Sequence, residues 1–148
     1  MSDINKKLDD VQRLFQQGDL DLALKKISKL VKNNKNNVLA HNYRGIVLVG
    51  LKKHREALLS FQKVVDLNPD FADAYSNMGM AYQQLSNFTH AIKSYKKAID
   101  INGDALHYRL NLASIYLEND KIHLAIHELS NLLEINSNVE HAHQLIAE

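Results

Sequence analysis

Residues 72–105 read ADAYSNMGMAYQQLSNFTHAIKSYKKAIDINGDA, and within them Ala91-Ile92 followed by Tyr95 sets a pattern that recurs along the chain. The same Ala-apolar-x-x-apolar arrangement stands at Ala23-Leu24…Ile27, Ala57-Leu58…Phe61 and Ala125-Ile126…Leu129. The alanines fall at 23, 57, 91 and 125, each step being 34 residues without insertion or deletion. A fixed period of this length marks stacked supersecondary units. Apolar residues recur at helical spacing nearly throughout, and no strand-type alternation persists.

Other columns keep the same register. Nine residues before the alanines stand Leu14, Leu48, Tyr82 and Tyr116; seven after them stand Leu30, Val64, Ala98 and Leu132. Twelve before come Val11, Gly45, Gly79 and Ala113, three of them very small. We read each unit as two antiparallel helices, A and B. The small A-helix residue and the B-helix alanine let the backbones approach, and the larger columns fill the seam to the next unit. One pair alone leaves apolar surface uncovered, so stability comes from stacking.

Turns between A and B fall at Gln17-Gly18-Asp19, Leu51-Lys52-Lys53, Leu85-Ser86-Asn87 and Asn119-Asp120-Lys121. Gly18 suits the left-handed conformation of a helix end. Returns from B to A fall at Asn33–Asn37, Asn68-Pro69-Asp70, Asn102-Gly103-Asp104 and Asn136-Ser137-Asn138, all rich in helix breakers.

The 148 residues suit one domain, and an apolar share of 45% is enough for a sizeable core. A net charge of +1 gives no composition-based case for nucleic acid or a membrane surface. The charge is uneven: residues 1–71 carry 13 Lys/Arg against 8 Asp/Glu, and residues 72–148 carry 5 against 9. With no cysteine there is no disulfide or thiolate metal site. No stretch approaches the roughly 20 apolar residues of a membrane span, and the N-terminus lacks a signal-peptide core. A cytoplasmic location is expected.

These columns resemble the tetratricopeptide repeat family. The unit at 72–105 is most similar, with Tyr75, Gly79, Tyr82, Phe88, Ala91, Tyr95 and Ala98 where the family pattern has them. The resemblance implies an all-α fold: a right-handed α-solenoid of four helix-turn-helix repeats plus the A helix of a fifth. The repeats are 4–37, 38–71, 72–105 and 106–139, with a partial or capping helix over 140–148, all in a single domain 1–148. It also implies a concave wall of A helices along which a peptide or protein segment lies. On the family register that groove includes Asn42, Ile46, Val49, Asn77, Met80, Gln84, His107, Asn111, Ser114 and Leu117, with Leu8, Gln12 and Asp73 also facing inward.

The family's carboxylate clamp for chaperone C-terminal tails needs Lys or Arg in this wall. The matching positions hold Leu8, Gln12, Tyr43, Asp73 and Asn77, or Asn42, Ile46, Asn77, His107 and Asn111, and neither set has a cation. A chaperone tail is therefore not the expected partner. Asn77 and Asn111 share one repeat position, with Asn42 close by. Each amide can donate to and accept from a peptide backbone, which resembles the asparagine ladder of O-linked N-acetylglucosamine transferase. Asp9 and Tyr43 occupy the other two ladder positions and shorten it.

His123 and His127 share a helix face but lack the HExxH pattern, so no metal site is expected. Lys25, Lys26, Lys29 and Lys32 crowd one helix without interleaved aromatics and read as a solvated face. His107 and His141 share a repeat position and read as separate solvated histidines. Asn87-Phe88-Thr89 is a chance sequon. No catalytic set converges, so neither an enzyme nor a cofactor is expected. The expected role is a protein-binding scaffold or adaptor. The alternatives are the recognition region of a larger glycosyltransferase or sulfotransferase, and self-association through the apolar Leu145 and Ile146.

Ala91→Leu should overpack the helix crossing and cost roughly 1–3 kcal/mol. A thermal melt superimposable on that of the wild type would contradict the close crossing.

Overall fold

The computed structural model describes residues 2–136. Over these it forms α1 (Asp3–Gln16), α2 (Leu20–Asn33), α3 (Val38–Gly50), α4 (His54–Leu67), α5 (Ala72–Gln84), α6 (Phe88–Ile101), α7 (Leu106–Glu118) and α8 (Ile122–Ile135), with no strand among the described residues. The helix expected over 140–148, with His141, Leu145 and Ile146, lies outside them.

Odd-numbered helices are the A members and even-numbered helices the B members. Each pair packs together, and each B helix also packs on the following A helix. The A helices touch their counterparts one unit away, whereas the B helices make no comparable contact with one another. A stack whose A helices touch while its B helices splay must curve toward the A side, making that wall the inner one.

Ala23, Ala57, Ala91 and Ala125 have no exposed surface. The close approach has a further member that the spacing of the small residues does not show. A Cβ at Gly45 would lie 2.4 Å from the Phe61 ring, and one at Gly79 would lie 2.6 Å from the Tyr95 ring. The glycine therefore makes room for the large side chain one turn past the alanine. Where that side chain is aliphatic, as at Ile27 and Leu129, the A-helix position holds Val11 or Ala113, and all four of these residues are buried. Size is traded across the pair, as close packing requires.

All four A-to-B turns have one construction. The N–H groups of Asp19, Lys53, Asn87 and Lys121 return to the carbonyls of Leu14, Leu48, Tyr82 and Tyr116 at 2.8–2.9 Å. Those of Gly18, Lys52, Ser86 and Asp120 return to Phe15, Val49, Gln83 and Leu117 at 2.9–3.1 Å. This paired closure is the Schellman arrangement, which needs a left-handed residue at its first position. Gly18 supplies it at φ 81°, while Lys52, Ser86 and Asp120 adopt φ 60°, 56° and 56° despite carrying side chains. Each B helix ends on an asparagine, Asn34, Asn68, Asn102 or Asn136, again 34 residues apart.

A left-handed residue with a Cβ is disfavoured by about 1–2 kcal/mol, and glycine's extra unfolded-state freedom offsets about 0.5–1 kcal/mol of the relief. Ser86→Gly should therefore stabilise the chain by roughly 0.5–1 kcal/mol, and Gly18→Ala should destabilise it by about 1 kcal/mol. No atom lies within 4 Å of a Cβ at residue 18, so that loss is conformational alone. Urea midpoints moving in opposite directions would bear this out; parallel shifts would contradict it.

Candidate functional site

The ten groove positions lie on α3 (Asn42, Ile46, Val49), α5 (Asn77, Met80, Gln84) and α7 (His107, Asn111, Ser114, Leu117). They are three or four residues apart within each helix, which keeps them on one face. None is buried, while the opposite faces of the same helices carry the core residues Ala40, Leu48, Ala74, Met78, Leu112 and Tyr116. Ile46, Met80 and Ser114 form one column along the array, each step again 34 residues.

The apolar members divide in two. Met80 and Leu117 stand 37% exposed. Ile46 and Val49 are half-buried and pack on the second core cluster, so only part of each is presented. Leu8, expected to face inward, is 4% exposed and belongs to the first core cluster with Val11 and Ile27, while it also lines a small opening with Asn5, Asp9, Leu39 and Tyr43.

The three amides differ in state. Asn77 is half-buried, and its side-chain amide makes no hydrogen bond among the described residues. Asn111 donates from Nδ2 to Ser76 Oγ at 3.3 Å, spending one amide hydrogen on the preceding A helix. Asn42 holds its Oδ1 buried without a partner, an arrangement that costs free energy until a donor is supplied.

Polar side chains link neighbouring A helices elsewhere along this wall. Tyr43 Oη donates to Gln12 at 3.2 Å. Gln83 donates to Glu118, and the Tyr108 hydroxyl donates to the Asp73 carboxylate. His107 Nε2 lies 3.7 Å from the same carboxylate, and its ring rests 4.1 Å from that of Tyr108. Burial, reinforced by Asp73, pushes the Tyr108 hydroxyl pKa well above its ordinary value. Tyr95, whose hydroxyl donates to Gln83 at 2.9 Å, is raised chiefly by burial, with Glu118 adding to it.

The arginines of α3 and α7 are turned to the B helices. Arg44 donates to Ser60 Oγ at 2.7 Å, and Arg109 pairs with Glu128 at 3.3 Å and reaches the Gly103 carbonyl at 3.4 Å. Sequence reasoning missed these bridges, although Ser60 and Glu128 share one column of the repeat. His123 and His127 are exposed on α8, with His127 Nε2 3.3 Å from the Asn131 amide. Among the described residues, no three His, Asp or Glu side chains are grouped to hold a metal. No helix among them is long and apolar enough to cross a membrane.

Residues 72–104 match the family profile described as "Tetratricopeptide repeat", and residues 51–86 match one described as "TPR repeat". No curated protein matches the chain in sequence. Among solved structures, MamA from Desulfovibrio magneticus RS-1 is similar at 24% identity, with 93% of this chain and 78% of that one covered and a TM-score of 0.84. A thermophilic TPR protein from Thermus thermophilus is similar at 18% identity, covering 99% of this chain and 81% of that one with a TM-score of 0.86. The Cut9–Hcn1 hetero-tetramer of the APC/C is similar at 24% identity over 95% of this chain and 29% of that one, with a TM-score of 0.82. At such identities the likeness is one of fold.

Because the folded pKa values of Tyr95 and Tyr108 lie above the unfolded value of 10.0, the unfolded chain loses these protons first. Stability is complete below that value and falls as pH rises past it. Urea midpoints at about pH 9 and about pH 11 should show this fall, and Tyr108→Phe should make it shallower. An unchanged slope in the variant would contradict the assignment to Tyr108.

Proposed function

We propose that this chain, a member of the tetratricopeptide repeat family, is a protein-interaction module that holds a peptide or protein segment against the A-helix faces of α3, α5 and α7. The observation that carries this reading is the pair of amides at Asn77 and Asn111, one unit apart, with Met80 and Leu117 exposed on the same helices. Asn77 is unengaged, whereas the Asn42 oxygen is buried out of a guest's reach. A guest's backbone N–H and C=O groups match the needs of Asn77. Exposed Met80 and Leu117 would take its apolar side chains.

The chemistry favours an extended segment read mainly through its main chain. Carboxylate capture is disfavoured, because Arg44 and Arg109 are committed to Ser60 and Glu128. The role is that of a scaffold or adaptor, in which binding itself is the function. Fold alone does not select the partner; these side chains do.

A pull-down from cell extract with wild type and with Asn77→Ala/Asn111→Ala identifies the guest and the site together. Each lost hydrogen bond is worth about 0.5–1.5 kcal/mol, so a guest's affinity should fall about tenfold or more in the double variant. Identical catches and affinities would remove the amide groove from the proposal.

A further inference from the structure

The outer side of the stack carries openings of its own, and their chemistry follows from the side chains that each A helix places beneath them. Splayed B helices leave a furrow with an A helix as its floor. In repeat 2, Arg44 reaches across to Ser60. In repeat 4, Arg109 reaches across to Glu128. In repeat 1, Lys26 takes the same column as Ser60 and Glu128 and pairs with Asp10, and the two line a smaller opening of about 290 Å³ with Lys7 and Lys29. Repeat 3 lacks the bridge: its floor carries Tyr75 and Met78 where Arg109 and Arg44 stand one unit away, and Ser94 donates to its own helix at His90 O, 2.8 Å. There a furrow of about 710 Å³ opens between α4 and α6 over α5.

Its lining has a definite chemistry. Tyr75, Met78 and Tyr82 form an aromatic and apolar floor, and Lys93, Lys96 and Lys97 line the α6 rim. All three lysines are exposed and enter no ion pair among the described residues. Lys97 Nζ lies 6.0 Å from the Tyr75 ring centroid. These three supply most of the 5 Lys/Arg in residues 72–148, a half that is otherwise acidic, with 9 Asp/Glu. Asp100 is the one carboxylate in the lining.

We propose that this furrow is a second binding site, taking an acidic peptide segment of a partner protein. Its carboxylates meet Lys93, Lys96 and Lys97, and an apolar side chain settles on Tyr75 and Met78. The excess of positive charge at the rim selects an anionic segment, and the apolar floor selects a peptide over a bare polyanion. The site is separate from the amide wall, so one chain could hold two segments at once, one on each side of the stack.

The test is fluorescence anisotropy with the full chain and a fluorescein-labelled peptide, Glu-Glu-Leu-Glu-Glu-Leu-Glu-Glu. Three exposed ion pairs together should be worth about a tenfold change in affinity. Lys93→Gln/Lys96→Gln/Lys97→Gln should therefore weaken binding about tenfold. Lys25→Gln/Lys26→Gln/Lys29→Gln on α2, and Asn77→Ala/Asn111→Ala on the inner wall, should change it less than about twofold. Raising salt from about 0.05 M to about 0.5 M should weaken the wild type and abolish the difference between it and the α6 variant. The proposal is overturned by any of four results: no binding by the wild type, loss with the α2 variant instead, equal binding of a peptide with lysine in place of glutamate, or tighter binding of a ten-nucleotide oligothymidylate.

Discussion

Every helix pair among the described residues is closed by the same contact, and the rest of the structure depends on it. A B-helix alanine sits against the A helix with no surface left for solvent, and one turn later a large side chain enters the space left by an A-helix residue. Where the entering group is an aromatic ring, as at Phe61 and Tyr95, only glycine fits opposite, because a Cβ would lie well inside contact distance. Where it is aliphatic, valine or alanine fits. Fixing this crossing sets the separation of A and B helices. Its repetition at a constant interval turns a pair into an array.

From the array come two unlike surfaces. Contact between successive A helices sets them side by side on the inner wall, with Met80 and Leu117 exposed. Separation of the B helices leaves furrows outside, and their lining differs with single residues. An arginine reaches across from the A helix in repeats 2 and 4, whereas repeat 3 has Tyr75 and Met78 in those columns and a furrow opens over them. The shared backbone plan thus produces surfaces with local character, which is how a family of similar folds serves different partners.

The fold was largely legible in the sequence, because the alanine period and its companion columns report burial directly. The turn positions were legible too, since gaps in the apolar pattern mark them. Their construction was visible only at Gly18: Lys52, Ser86 and Asp120 take the same left-handed conformation without the residue type that announces it, held there by the hydrogen bonds that close each turn. The inner wall was legible as a list of positions, but not as a set of states. That Asn111 is engaged by Ser76 while Asn42 hides an unpartnered oxygen depends on distances between helices. The column of Leu8 was likewise legible by position and not by burial: Ser76 in the same column is buried too, and Leu110 packs on the fourth core cluster. The arginine bridges escaped notice because each joins columns that are unremarkable alone.

Native-state hydrogen exchange in mild denaturant tests most directly whether these units depend on their neighbours for stability. Among the described helices, α3 to α6 belong to units with a described neighbour on each side, so they should hold their amide protons longest, with protection falling toward α1. Equal protection in all eight helices, or an outer pair outlasting the inner ones, would mean that each pair is stable by itself, contradicting the account.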